Sequence, residues 1–244
     1  MERCKILGLQ IDLVDMEAAL KTIETLVAAR EPTCVVTADA SMVVIAREDP
    51  ELQAIIERAA LVTADGAGLL WAARLFGKPI RTRVSGVDLV ERVVERSAAG
   101  GPKVYFLGAS PGVADKAADN LRARFPGARI VGTQHGYFGP DEEPDVVRGI
   151  RDAAPDVLFV AFGIPKQEKF IDRHKAEMDV PVSIGVGGSF DVHSGSVRRA
   201  PNWMQNAGME WLFRLMQNPG KMRKVMMLPE FVLLAFRVRF LGGK

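Results

Sequence analysis

Residues 103–125 read KVYFLGASPGVADKAADNLRARF. Val104–Leu107 is a short apolar run of the β-branched and aromatic types that fill a strand buried on both faces. Gly108 ends it, and Ala109-Ser110-Pro111 opens a helix expected to run to Phe125. Strand, small polar corner and helix together make half of a parallel crossover unit.

The pattern recurs along the 244 residues. KILGLQI (5–11) reads as an opening strand or hairpin, and Asp15 as the N-cap of a helix over 16–29. CVVT (34–37) is a strand whose following helix restarts at Asp49-Pro50, with proline in the first position. LVT (61–63) precedes a helix over 66–76. Another helix, over 87–98, follows Arg81, Arg83 and Ser85. ARIVGT (128–133), DVLFVAFG (156–163) and VPVSIGVGG (180–188) complete the strands, with helices starting near Asp141 and Pro165 after the first two. Strands alternating with helices predict an α/β fold, a Rossmann-like, mostly parallel sheet with flanking helices.

Ligands of such sheets bind at the carboxyl ends of the strands. Standing there are Thr37 and Asp39; Asp65 and Gly66; Gly108 and Ser110; Gly163, Lys166 and Gln167; and Gly187, Gly188 and Ser189. Any one corner is what a turn needs on its own account. Five on one edge, with amides at helix starts, suit an anionic ligand, most simply a nucleotide diphosphate. No G-x-G-x-x-G follows the first strand and no G-x-x-x-x-G-K-[ST] occurs, which argues against nicotinamide-dependent and P-loop enzymes. His135, His174 and His193 lie far apart without metal-ligand spacing, and His174, in DRHKAE, reads as solvated. No Asp-x-Asp pair exists to clamp a metal-diphosphate. The expectation is a site without metal or cofactor, where Arg, Lys and helix amides neutralise the diphosphate.

Net charge is only +2, which excludes nucleic acid as a general partner, but its distribution is uneven. Residues 195–244 hold nine Lys or Arg against two Glu, a surplus of +7 that leaves −5 for the rest. The chain therefore divides into an α/β domain, 1–195, and a basic appendage, 196–244. Cys4 and Cys34 are too few for a disulfide framework, which suits a reducing compartment. MERCKILGLQID lacks the apolar core of a signal peptide, and no stretch approaches the roughly 20 apolar residues of a spanning helix. A cytoplasmic protein is expected.

The later segments are more specific. GTQHGYFGPDEE (132–143), VLFVAFGIPKQEKFID (157–172) and IGVGGSFDVHSGSVRRAPNWMQNAGMEWLFRL (184–215), with VTADGAG and RTRVSGVDL before them, resemble the WecG/TagA/CpsF family, glycosyltransferase family 26. HGYF, G-x-P-K-Q-E-K, GVGGSFDV, RAP and G-x-E-W-L-x-R-L stand in the family's order over nearly the whole chain. The resemblance implies an inverting, metal-independent transfer from a UDP-sugar, typically UDP-N-acetylmannosamine or its uronic acid. The implied acceptor is N-acetylglucosamine-diphospho-undecaprenol at the cytoplasmic leaflet, in cell-wall polymer synthesis of the teichoic-acid type.

By the same resemblance Asp65 is the base; its alternative reading is the N-cap of the helix it precedes. A helix N-terminus favours an ionised carboxylate, which weakens a base. Thr37 is implied as a substrate contact and Arg83 as a charged one, the alternative for Arg83 being a solvated side chain. Gln167 is implied as a sugar or nucleotide contact, whereas Lys166 and Lys169 also read as a solvated helix face. Where the family usually has Asn, this chain has Asp39, which cannot donate the hydrogen bonds of an amide.

In the appendage, Trp203, Trp211, Phe213, Phe231 and Phe236 are mixed with basic residues. PEFVLLAFRVRFLGGK (229–244) is too short and charged to span a bilayer, but its apolar side chains and cations suit the surface of one. The alternative is a helix pair packed on its own domain or on another subunit, and an apolar tail left uncovered off the membrane favours homo-oligomers. The resemblance implies that the appendage closes over the site and supplies cations. Arg214 matches one such position, and Lys221 and Lys224 stand at two that tend to be Arg. Two other readings stay open: a nucleotide-sugar oxidoreductase or epimerase, and a non-catalytic UDP-sugar-binding membrane scaffold.

Overall fold

The computed structural model of the chain describes residues 2–80, 82–201, 204, 212–213, 216 and 227–241. It opens with a hairpin of Arg3–Ile6 (β1) and Leu9–Asp12 (β2). Leu7 and Gly8 take φ of 49° and 100°, the two left-handed residues that the tightest hairpin turns require. There follow α1 (Met16–Ala29), β3 (Thr33–Ala38), α2 (Ala40–Glu48), α3 (Pro50–Arg58), β4 (Leu61–Ala64), α4 (Ala67–Leu75) and α5 (Gly86–Ala98). Next come β5 (Val104–Gly108), α6 (Val113–Arg124), β6 (Ile130–Gln134), α7 (Glu143–Ala153) and β7 (Val157–Ala161). The described elements end with α8 (Lys166–Met178), β8 (Val182–Gly185), α9 (Ser189–His193) and α10 (Met227–Phe240).

The helix starts follow from the expected caps at two places. Asp15 Oδ1 accepts from Ala18 N at 2.8 Å, and Asp49 Oδ1 from Leu52 N at 3.0 Å, with Pro50 in the first turn. After β5 the helix begins later than the sequence suggests. Gly108 and Ala109 turn through φ of 126° and 60°, so Gly112 rather than Ser110 precedes the first helical residue. The left-handed corner consumes the residues that would have formed the first turn.

Strands β3–β8 form one sheet in the order β4-β3-β8-β7-β5-β6, every pair parallel. The α/β, Rossmann-like expectation holds. Helices α1, α5, α6 and α9 cover one face, over a core that includes Phe106, Phe159 and Phe190. The Phe106 ring stacks on Phe190 with centroids 4.7 Å apart and meets Phe159 edge-on at 5.9 Å. Helices α2, α3, α4, α7, α8 and α10 cover the other. The hairpin guards the outer edge of the sheet, where the buried Asp12 accepts from Val62 N at 2.7 Å and from Arg3 Nε at 2.8 Å. A strand edge that would offer open amides is thereby closed.

Because β5 leads into α6 on one face and β7 into α8 on the other, the chain diverges between these neighbours. In sheets of this kind such a divergence marks where ligands bind, at the carboxyl ends of the strands. α10 packs on α2 and α4: Phe231 and Ala235 are buried, and the Trp71 ring lies 6.3 Å from Phe231 and 5.9 Å from Phe236. The expected alternative, packing on its own domain, is thus realised on one face of this helix. No helix among the described residues is long and apolar enough to cross a membrane.

Candidate active site

A fully parallel sheet puts every strand's carboxyl end on one edge, so the five corners named from sequence do converge, joined by the end of β6. Asp65 follows β4, and its backbone N–H donates to Ala38 O at 2.7 Å, drawing it alongside the end of β3. Val84 N donates to Ala64 O at 3.0 Å, which brings Arg83 to the same corner. Arg214, Lys221 and Lys224 lie outside the described residues.

The two aspartates are held differently. Asp39 is the N-cap of α2: its Oδ1 accepts from Met42 N at 3.0 Å and from Ser41 Oγ at 2.5 Å. Asp65 is not the cap of the helix it precedes. Gly66, at φ 100°, takes that position with no side-chain hydrogen bond. The half-buried Asp65 carboxylate turns instead across the corner, where Oδ2 accepts from Gly86 N, the first amide of α5, at 3.1 Å. The cap alternative raised for Asp65 belongs to Asp39.

Thr37, at the end of β3, is buried and donates from Oγ1 to Gly185 O of β8 at 2.7 Å. Gln167 is also buried, and its Oε1 accepts from Gly163 N at 3.1 Å and Gly187 N at 3.0 Å, tying the corners after β7 and β8 together. Its Nε2 donates to Glu168 Oε1 at 2.7 Å. A side chain at Gly185 would bring its Cβ to 2.5 Å from Gln167 Nε2, so the bridge fixes glycine there. Ser189 is buried, its hydroxyl donating to Val186 O at 2.6 Å, and Gly188 precedes α9. Gly108 is needed because a Cβ would sit 2.6 Å from Ala161 O, on the neighbouring strand end. Lys166 is exposed at the start of α8. Lys169 is a structural partner, 2.8 Å from Asp49 and 2.7 Å from Glu51.

Sequence reasoning passed over several residues at this edge. Gly136 N donates to Ala109 O at 2.9 Å, which seats the HGYF loop against the β5 corner and leaves the Tyr137 ring 70% exposed beside it. Asp88 and Arg199, at the start of α5 and in the RAP segment, meet at 2.7 Å. HGYF and RTRVSGVDL were visible as motifs, but only the fold shows that they reach one edge. His174, expected to be solvated, instead bonds Glu143 at 2.8 Å and packs on Phe170, joining α8 to α7. Cys4 and Cys34 are free and buried, and burial pushes the Cys34 thiol well above its usual range. Among the described residues no three His, Cys, Asp or Glu converge closely enough to hold a metal ion.

Chemically, the edge offers the Asp65 carboxylate beside the first amide of α5, Arg83 in the segment bonded to the end of β4, and a row of glycine corners. Those parts suit proton abstraction next to a bound anion. The model of the glycosyl transferase WecG/TagA/CpsF family matches residues 4–243. An N-acetylglucosaminyldiphosphoundecaprenol N-acetyl-beta-D-mannosaminyltransferase of Bacillus spizizenii strain W23 is 32% identical over 228 residues, 91% of this chain and 87% of the relative. An enzyme of the same name from Bacillus subtilis strain 168 is 31% identical over 183 residues, 75% of this chain and 71% of the relative. The chain therefore belongs to the WecG/TagA/CpsF family and is a glycosyltransferase.

Proposed function

We propose that the chain transfers N-acetylmannosamine, or a closely related sugar, from a UDP-sugar to N-acetylglucosamine-diphospho-undecaprenol. The observation that carries this reading is the Asp65 carboxylate, poised by the Gly86 amide on the edge where every strand corner converges. The names of the two relatives supply the sugar and the acceptor. In this mechanism Asp65 takes the proton of the acceptor hydroxyl as its oxygen bonds to the anomeric carbon. The bond to the UDP oxygen breaks on the opposite face, and configuration inverts. Arg83 and the corner amides receive the charge that develops on the departing diphosphate. Thr37, its hydroxyl hydrogen committed to Gly185 O, acts as an acceptor toward the donor sugar. Gln167, Gly187, Gly188 and Ser189 shape the floor beneath the diphosphate, with Gly108 and Lys166 beside it, and Asp39 holds α2 in register with them. Arg214, Lys221 and Lys224 of the appendage complete the cationic lining.

An undecaprenol-linked acceptor favours a reaction at the inner face of the cell membrane. α10 supports docking there. Its inner face is anchored by Phe231, next to Gly68 near the start of α4, while Leu233, Phe240 and Leu241 are 64%, 63% and 78% exposed beside Arg237 and Arg239. An apolar face rimmed by cations matches an anionic bilayer surface. Away from a membrane the same face drives self-association.

The decisive assay measures UDP release from a panel of UDP-N-acetylhexosamines with a short-chain GlcNAc-diphospholipid, with and without EDTA. Release that needs both substrates and survives EDTA is expected. Asp65→Asn should lower kcat by at least about 100-fold while leaving UDP binding within about threefold. Full turnover by that variant removes the base assignment, and loss of activity in EDTA removes the metal-independent mechanism.

A further inference from the structure

Arg83 and Arg199 are 116 positions apart in sequence, yet one carboxylate holds both. Asp88 Oδ1 lies 2.7 Å from Arg199 Nη1, and its Oδ2 lies 3.8 Å from Arg83 Nη2. Oδ2 also accepts from Ser85 Oγ at 2.6 Å, and Ser85 Oγ in turn accepts from Asp88 N at 3.2 Å as the N-cap of α5. The next residue, Gly86, is the one whose amide donates to Asp65. Gly86 is also pressed onto the β8 corner, where a Cβ would stand 3.2 Å from Val186 Cα and 3.3 Å from Ser189 Oγ. The first turn of α5 is thus wedged between the two strand ends that carry the candidate base and the glycine corner.

We propose that Asp88 is a positioning residue of the site: it orients Arg83, in the segment bonded to the end of β4, and pins the RAP segment, through Arg199, to the same helix turn. The proposal deepens the transferase reading and rests on it for the kinetic part of its test. Its physical logic is charge arithmetic. Two guanidinium groups brought close to one another repel unless an anion stands between them, and Asp88 is that anion. Burial alone would raise its carboxyl. The hydrogen bonds from Arg199 and Ser85, with the charges of Arg199 and Arg83, outweigh burial and hold it below the usual carboxylate range. It is therefore ionised at neutral pH. Ala200, just beyond Arg199, is buried. Asp88 thus contacts both Arg83 and the RAP segment from one helix turn.

The test is a double-mutant cycle on the full chain. Asp88→Asn keeps the shape and the hydrogen bond from Ser85 but removes the charge. Alone it should lower kcat/KM for UDP release about tenfold, chiefly through KM for the donor. In an Arg83→Gln background it should change kcat/KM by less than about twofold, because the group it aims is already gone. Effects that multiply, or a single variant with wild-type kinetics, overturn the proposal. Should Asp88→Asn fail to fold, Asp88→Ser removes the same charge and is expected to show the same non-additivity with Arg83→Gln. Amide hydrogen exchange gives a readout without substrate: Asp88→Asn should speed exchange at residues 86–89 and 199–200 and leave the strands of the sheet unchanged. Unchanged exchange there overturns the proposal even if activity falls. If the wild-type chain releases no UDP from any donor, the transferase reading fails, and exchange alone decides the role of Asp88.

Discussion

At the end of β3, Asp39 accepts two hydrogen bonds from the first turn of α2, work that asparagine does equally well at an N-cap. Asp39→Asn should therefore leave thermal stability unchanged. Any effect should fall on the donor, because the substitution removes a negative charge from the edge and adds an amide donor. KM for the UDP-sugar is expected to fall. Asp39→Ala should cost about 1 kcal/mol of stability through the lost cap. Thermal melts and donor titrations on the two variants separate the roles, and a stability loss in the asparagine variant would contradict the cap assignment. At Asp65 the neighbour that matters is 21 residues further on. A local reading of Asp-Gly-Ala-Gly offers a cap, and only the return of the chain at Gly86 shows why the carboxylate turns away from its own helix.

Among the helices, α3 is the clearest test of local rules acting through tertiary contacts. Asp49 caps it and also meets Lys169 of α8 at 2.8 Å. The Lys169 hydrogen bond, with that from the Leu52 amide, holds the Asp49 carboxyl below its usual range. A depressed carboxyl contributes stability that is fully present above the unfolded value of about 3.9 and is lost as pH falls through the lower folded value. Asp49→Ala should therefore cost about 1 kcal/mol at pH 7, with the gap to wild type narrowing below about pH 4. Melting both proteins at pH 7 and pH 3 checks the sign, and a gap that widens in acid would refute it. The start of α6 teaches the complementary lesson. Ser110-Pro111 looks like a helix opening, but the close approach of Gly108 to Ala161 forces a left-handed corner first.

For the molecule as a whole, the appendage is where surface and site meet. α10 buries Phe231 beside Ala40 and Gly68, the first turns after Asp39 and Asp65, and runs along α4 until Arg239 Nε reaches Leu75 O at 3.3 Å. Removing residues 196–244 should leave the sheet folded, since all the described strands and every described flanking helix but α10 lie before it. It should abolish transfer to a lipid acceptor, and the newly uncovered Trp71 should lower the melting temperature. A truncated chain with full activity on the lipid acceptor would refute the role given to the appendage. Leu233→Glu should weaken binding to anionic vesicles without changing the melt, because that side chain is exposed in the folded chain.

The sequence by itself determined the sheet, most helix starts and the family. Each rests on interactions within a dozen residues: apolar runs, caps at Asp15 and Asp49, and glycine corners. It also named the strand ends that share one edge, since a parallel sheet sends all of them there. Tertiary structure alone decided which aspartate caps and which points at a distant amide. The same holds for the use of Gln167 as a clasp between two corners and for the meeting of Arg83 and Arg199 at Asp88. The bonds that decide them run between residues 20, 21 and 111 positions apart. A hydrogen bond is directional and short, so its partner is fixed only when packing has brought the two segments to within about 3 Å.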